Sequence, residues 1–163
     1  MIRLKYHGAL PLAREFGERL GDALLPHCGR DHVRDGSDGS DAGDSETLLV
    51  PIPLAPSRLA ARGFNQAWEL TRIAARRVQR PASARWLRRE RATASQRGLT
   101  RDVRQRNLRD AFVASDQVRG RRVVLIDDVM TTGATCHAAA QALKRAGATY
   151  VLAAVALRTP YSE

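Results

Sequence analysis

Cysteine, lysine, aromatic residues and long apolar runs are all scarce in this chain of 163 residues. Two cysteines, Cys28 and Cys136, are too few for a disulfide framework or a four-ligand zinc site, so we expect buried thiols. The two lysines, Lys5 and Lys144, lie outside any Gly-rich loop of the P-loop type. No apolar run is long enough to span a membrane, and residues 1–8 do not read as a signal peptide, so we expect a cytoplasmic protein without a membrane span.

Arginine, by contrast, is abundant: it accounts for 25 of the 27 basic residues, and the formal net charge is +10. A planar guanidinium suits phosphate groups, and a basic surface attracts polyanions. The charge leaves two partner classes open, nucleic acid and a small molecule that carries pyrophosphate. The length and the 44% hydrophobic content predict a single globular domain over residues 1–163.

One segment of opposite charge interrupts the chain. Residues 34–46 are rich in glycine, serine and aspartate, and the stretch 35–46 contains five acidic residues and no basic one. The spacing does not match the calcium-binding loop of an EF-hand. We therefore predict a flexible acidic linker over residues 34–46.

Hydrophobic patterning predicts an alternation of helices and strands. An amphipathic helix begins near Pro11 and continues at least to Leu24, and a second helix covers residues 64–78. Buried strands are predicted at residues 47–54 and 150–157, and two further strands at residues 86–93 and 111–114. Such an alternation indicates an α/β fold with a parallel sheet.

The two predicted strands at 86–93 and 111–114 enclose an arginine-rich segment. Residues 85–109 contain nine arginines against two acidic residues. A run of this kind is usually a solvated face. Its length and its place between two strands also favour a flexible loop that closes over a ligand.

The most informative stretch is VVLIDDVMTTGAT, residues 123–135. The four aliphatic residues predict a central strand covered on both faces and ending at the acids. A polar turn and a helix over 136–146 follow, with Gly147 as the helix stop. Ligands of open α/β sheets bind beyond the carboxyl ends of the strands, and a helix N-terminus favours phosphate.

The paired carboxylates of this stretch need a different partner from the phosphate. They are expected to hold neutral hydroxyls or a cation, and ribose hydroxyls and Mg²⁺ are the natural candidates. The alternative is a solvated strand end followed by an ordinary turn. A receiver-type acid pair would need a phospho-accepting aspartate on a later strand, and no aspartate follows residue 148.

A second strand, loop and helix unit precedes this one. The connection over residues 55–63 contains Ser57, Arg58 and Arg62, which could hold a second anionic group opposite the first loop. A linker with surface arginines explains the same residues equally well.

The 123–135 stretch resembles the phosphoribosyl pyrophosphate motif of type I phosphoribosyltransferases. Together with LKYHG near the start, VPIPLAPSRLAARGFNQ in the middle and TASQRGLTRDVRQRNLRDAF, it resembles the competence protein F family of phosphoribosyltransferase-like proteins. The resemblance implies a central parallel sheet flanked by helices, with an antiparallel hairpin that carries a flexible loop. Many members begin with a four-cysteine zinc module, which we expect to be absent from this chain.

The resemblance also implies roles for individual residues. Asp127 and Asp128 would hold the ribose hydroxyls and lie near Mg²⁺, through water, as the catalytic and metal-associated pair. The substrate-binding stretch consists of these two acids with Val129, Met130, Thr131, Thr132, Gly133, Ala134 and Thr135, the last five around the 5′-phosphate. Arg58 and Arg62 would bind pyrophosphate.

Two functions follow from the resemblance. The first is Mg²⁺-dependent transfer of the phosphoribosyl group of phosphoribosyl pyrophosphate to an unidentified acceptor. The alternative is a largely non-catalytic competence factor in DNA uptake that binds single-stranded DNA or a competence protein. No general base stands out in the sequence, and a homo-oligomer is compatible with either function.

Overall fold

The computed structural model of the chain describes residues 10–28, 46–90 and 111–159. Helix α1 spans Leu10–Cys28, strand β1 Thr47–Pro51, helix α2 Pro56–Arg62 and helix α3 Gln66–Val78. A hairpin of β2 (Leu87–Arg89) and β3 (Phe112–Ala114) follows, then β4 (Arg122–Met130), α4 (Ala134–Arg145) and β5 (Tyr150–Arg158). The predicted linker lies outside the described residues except for Glu46.

Three strands form a parallel sheet in the order β1-β4-β5. Ala82 extends it by a single parallel bridge to Leu49, on the side of β1 away from β4. The expected central position of the aliphatic stretch 123–126 is confirmed, because β4 pairs on both sides. The α/β fold with a central parallel sheet is therefore the one that the sequence predicts.

The two faces of the sheet are covered by different elements. On one face, α4 and the hairpin pack against the odd-numbered residues Val123 and Leu125 of β4. On the other face, α1 and α3 pack against the even-numbered residues Val124 and Ile126. Side chains alternate across a strand, so β4 contributes to both cores. The same alternation determines toward which face the later side chains of β4 point.

Helix α1 lies close beside α3 because two glycines replace bulkier side chains at the contact. A Cβ at Gly17 would stand 2.7 Å from Cβ of Ile73, and one at Gly21 would stand 2.6 Å from Cβ of Arg77. Asp22 also forms an ion pair with Arg77. The two helices run in the same direction, so both begin at the edge of the sheet where the strands end.

The antiparallel pairing of the predicted strands at 86–93 and 111–114 is confirmed, although only Leu87–Arg89 and Phe112–Ala114 pair. Leu87 and Phe112 are buried against the core shared with α4. The predicted flexible loop falls mainly on residues 91–110, outside the described part of the chain.

Two predicted elements need correction. The connection over residues 55–63 is largely helical. Pro56 can start α2 because the first N–H groups of a helix have no acceptor within it, so the missing N–H of proline costs nothing there. Gly63 ends the helix at φ 76°. The sequence predicts that strand β5 is buried, but Tyr150 and Ala153 are exposed. Within the described residues β5 pairs only with β4, so it forms an edge of the sheet.

Among the residues that the structure describes, no helix is long and apolar enough to cross a membrane.

Candidate functional site

Strand β4 carries the acid pair. The sequence predicts that the strand ends at these acids, but it continues beyond them. Its pairing with β1 ends at Ile126, whereas its pairing with β5 continues through Asp127 and Val129 to Met130. The longer neighbour β5 supplies backbone partners beyond the acids, which explains the extra residues. The acids therefore lie where β1 has ended and β4 is still extended, at the carboxyl edge of the sheet.

The two adjacent carboxylates point to opposite faces of the sheet. Asp127 follows the odd-numbered core residues toward α4, and Asp128 follows the even-numbered ones toward α1 and α3. Both residues are half-buried. A ligand that used both acids would have to sit over the end of β4 rather than on one side of it.

Asp127 is held by donors of the chain itself. Its Oδ1 accepts the backbone N–H of Asp128 at 2.8 Å, and its Oδ2 lies 3.9 Å from Sγ of Cys136, within thiol hydrogen-bond distance. Burial, and then the negative charge of Asp127, raise the pKa of the Cys136 thiol to about 11. The thiol is therefore protonated at neutral pH and donates to the carboxylate.

Asp128 is in a different position. Within the described part of the chain, no hydrogen bond or ion pair engages its carboxylate, and its backbone N–H donates to Oδ1 of Asp127. The two acids look equivalent in the sequence. In the structure they differ in the number of hydrogen bonds that their carboxylates accept from the protein.

The turn after β4 leads directly into α4. Thr131 and Thr132 are exposed, and the backbone N–H of Ala134 donates to Oγ1 of Thr132 at 3.4 Å. Gly133 precedes the helix at φ 76°, a left-handed conformation that favours glycine. Val129, Met130, Ala134 and Thr135, the remaining members of the predicted substrate-binding stretch, are half-buried.

The start of α4 has the features of an anion-binding terminus. The helix is 12 residues long, and the first amides of a helix have no acceptor within it. Their aligned dipoles give the terminus a partial positive charge. No acidic residue lies in the first turn of α4 to neutralise it, so the turn can accept a phosphate at the carboxyl edge of the sheet.

The second predicted loop leaves the sheet beside the first. Pro51, the last residue of β1, pairs with Ile126, and the N–H of Ile52 donates to the carbonyl oxygen of Ile126 at 2.8 Å. Helix α2 then places Arg58 in an exposed position and Arg62 in a half-buried one. Both predicted arginines therefore come from the connection next to the acid pair.

Two residues near this connection were missed by the sequence interpretation. Gln66 is buried, its Oε1 accepts Nη1 of Arg62 at 3.4 Å, and its Nε2 has no hydrogen-bond partner among the described residues. Arg89 of the hairpin lies over the ring of Phe112 at 5.4 Å; burial, and then the charge of Arg58, lower its pKa. The RGFNQ motif signalled Gln66, whereas nothing distinguished Arg89 within its arginine-rich run.

Asp127 and Asp128 could bind a cation that enters the site together with a phosphate-bearing ligand. No group of three or more histidine, cysteine or acidic side chains in the described ranges could enclose a metal ion. Mg²⁺, however, is commonly bound by one or two carboxylates together with substrate phosphates. The carboxylates of Asp127 and Asp128 supply donors of that kind at the edge where the turn can accept phosphate.

Residues 70–163 match the phosphoribosyl transferase domain family, and the chain belongs to that family. It is 41% identical over 103 residues to the DNA utilization protein YhgH of Escherichia coli K12, and 36% identical over 102 residues to competence protein F of Haemophilus influenzae. These alignments cover 63% and 61% of this chain but only 45% and 44% of the relatives. The resemblance to the competence protein F family is confirmed, and the chain spans less than half of these relatives.

A solved structure agrees on the fold. A hypoxanthine-guanine phosphoribosyltransferase from Bacillus anthracis superposes with a TM-score of 0.51 over 93% of this chain and 80% of its own. The two sequences are 11% identical. This similarity confirms the type I phosphoribosyltransferase fold and carries no information on the substrate.

Proposed function

We propose that the protein binds phosphoribosyl pyrophosphate with Mg²⁺ and transfers the phosphoribosyl group to an acceptor that is not yet identified. One observation carries the proposal: β4 leads without a break from the acid pair into a threonine-rich turn and the N-terminus of α4. That arrangement offers carboxylates for a sugar and amides for its phosphate within one short stretch. Membership of the phosphoribosyl transferase domain family supports it.

Each part of the proposed site has a distinct task. The turn from Thr131 to Thr135 binds the 5′-phosphate through backbone amides and threonine hydroxyls. Asp127 and Asp128 accept hydrogen bonds from the ribose hydroxyls and hold the sugar over the end of β4. Arg58 and Arg62 reach the diphosphate from α2, where guanidinium groups suit its oxygens.

In the proposed reaction, the bond between C1 of the ribose and the diphosphate breaks as the acceptor approaches from the opposite face. The residues of the site contribute mainly by position: the turn and the acids hold the ribose phosphate still, and the arginines stabilise the negative charge on the departing group. Mg²⁺, held near Asp127 and Asp128, would neutralise further charge on the diphosphate.

A thermal-shift measurement tests the binding step. Phosphoribosyl pyrophosphate with Mg²⁺ should raise the Tm of the wild-type protein, because a ligand that binds only the folded state stabilises it by about 2.7 kcal/mol at 100 times Kd. For a domain of this size, that free energy corresponds to a shift of about 5–10 °C. Asp128→Asn should abolish the shift while leaving the Tm without ligand close to wild type, since no hydrogen bond of the described chain reaches that carboxylate.

Asp116→Asn is the matched control, because Asp116 is an exposed acid before β4, at the opposite end of the strand. This variant should keep the full ligand shift. The absence of any shift in the wild type at millimolar ligand would refute the proposal, and so would an equal loss in both variants.

The second candidate function is the handling of single-stranded DNA, as the names of the relatives and the net charge of +10 favour. In the hairpin region, Arg85 and Arg88 are exposed beside Trp86. The indole N–H of Trp86 donates to Oε1 of Gln117 at 2.5 Å, and the half-buried ring packs against the core, which limits it as a stacking surface. Binding through phosphate contacts would weaken steeply with salt.

A fluorescence-anisotropy titration of labelled single-stranded DNA over a range of salt concentrations tests this second function. A linear fall of the logarithm of affinity with that of salt concentration would support it, and Arg88→Gln should reduce the slope by about one. A lack of binding at low salt would exclude it.

A further inference from the structure

The two carboxylates of the acid pair differ in their surroundings. Asp127 is contacted from two sides, by the N–H of Asp128 at Oδ1 and by the thiol of Cys136 at Oδ2. Asp128 faces the other side of the sheet and accepts no hydrogen bond within the described residues. A carboxylate with a donor at each oxygen has a defined orientation, whereas a carboxylate without donors can rotate about its side-chain torsions.

We propose that Cys136 is a positioning residue: its thiol donates to Oδ2 of Asp127 and holds that carboxylate in the orientation that the bound ribose requires. The inference rests on the proposed function, because it assigns Asp127 to the ligand site. The two acids then have different roles: the carboxylate of Asp127 is oriented before the ligand binds, and that of Asp128 can rotate to fit the ligand.

The place of Cys136 in the fold makes this contact possible. It is the third residue of α4, on the helix face that packs against β4, and it is 6% exposed. The turn at Gly133 brings the start of the helix back over the strand that has just ended, so the thiol meets the acid nine positions earlier. A movement of this turn on ligand binding would therefore displace the Cys136 thiol and, with it, the carboxylate of Asp127.

A thiol suits this position for chemical reasons. A thiol is a small, weak donor, and its Sγ lies 3.9 Å from Oδ2 of Asp127. A lysine or arginine at the same place would neutralise Asp127 and compete with ribose hydroxyls for it. A small donor can orient the carboxylate without placing a positive charge beside it.

Cys28 offers a matched control for the loss of a buried thiol. It is also buried, at 3% exposed, and it is the last residue of α1. Its surroundings are basic, since the charges of Arg80 and Arg122 act on it, and its carbonyl oxygen accepts Nε of Arg80 at 3.0 Å. Arg122 begins β4, so Cys28 lies near the opposite end of the sheet from the candidate site.

The test measures the affinity for phosphoribosyl pyrophosphate with Mg²⁺ by calorimetric titration in three variants. Cys136→Ala, which loses the donor, should bind about three- to tenfold more weakly than wild type. Cys136→Ser, which keeps a small donor, should bind within about twofold of wild type. Cys28→Ala should bind as the wild type does, although it also creates a small cavity. Equal affinity of Cys136→Ala and wild type, or an affinity of Cys136→Ser as low as that of Cys136→Ala, would overturn the inference.

A second readout needs no ligand. Difference infrared spectra of wild type against Cys136→Ala identify the S–H stretching band of Cys136, which lies at lower frequency when the thiol donates to a carboxylate. Asp127→Asn should move this band to higher frequency, and Asp116→Asn should leave it unchanged. An unmoved band in Asp127→Asn would refute the contact itself. A wild-type protein that shows the band shift but binds no ligand would instead contradict the proposed function and the role assigned to the contact.

Discussion

The glycine before α4 permits a quantitative test of the proposed phosphate site. Gly133 has φ 76°, and a Cβ there would lie 3.4 Å from Sδ of Met130, an ordinary van der Waals distance. Gly133→Ala should therefore cost only backbone strain, about 1–2 kcal/mol. The reduced freedom of the unfolded chain offsets about 0.4–1 kcal/mol of this. The net loss of about 1 kcal/mol corresponds to a fall in Tm of about 2–4 °C.

Gly120 is the matched control for this substitution. It has φ 71°, a Cβ would meet nothing within 4 Å, and it lies before β4, at the opposite end of the strand from the candidate site. Gly120→Ala should lower Tm by about the same amount as Gly133→Ala. Any strain that the ligand-free turn of Gly133→Ala relieves by leaving the left-handed conformation does not lower Tm, but a bound phosphate has to restore that conformation. Only this variant should therefore lose affinity for phosphoribosyl pyrophosphate, by up to about 5–30-fold if the turn relaxes fully.

Differential scanning fluorimetry gives the change in Tm of both variants, and calorimetric titration with phosphoribosyl pyrophosphate and Mg²⁺ gives their affinities. The reasoning would be refuted if Gly133→Ala kept both the Tm and the ligand affinity of wild type, or if Gly120→Ala lost affinity to the same extent. The first result would show that the turn is not part of the ligand site.

Two further predictions concern stability. The pKa of Cys136 is about 11 in the folded protein and about 9 when unfolded, so the contribution of this thiol to the free energy of unfolding should be constant below about pH 9 and fall by about 1–2 kcal/mol toward pH 11. Denaturant titrations of wild type and Cys136→Ala should show this fall in their difference, and a flat difference would contradict the burial of the thiol. Asn65→Ala should cost about 2–3 kcal/mol in urea titrations, because its side chain accepts the N–H of Ala67 and donates to the carbonyl oxygen of Ile52. Ser115→Ala, which removes one capping bond at 3.3 Å, should cost less than half as much, and equal costs would show that the bond to Ile52 contributes nothing.

The sequence alone was sufficient for the class of fold and for the location of the candidate site. An uninterrupted aliphatic run followed by paired acids and a threonine–glycine turn predicts a central parallel strand, a sharp turn and a helix start, because local chemistry determines each of these. The end of α4 was equally predictable, since Gly147 has φ 96° where the helix stops. Such features depend on a residue and its near neighbours, which the sequence displays directly.

Tertiary structure decided how the site residues relate to one another. Strand β4 continues past the acids because β5 is long enough to pair with it, and this continuation sends Asp127 and Asp128 to opposite faces. The contact of Cys136 with Asp127, the burial of Gln66 against Arg62 and the approach of Arg89 to Arg58 all join residues from different elements or turns. Their physical origin is the way the tertiary structure brings α2, α3, α4 and the hairpin near the end of β4, and no local pattern in the chain encodes that arrangement.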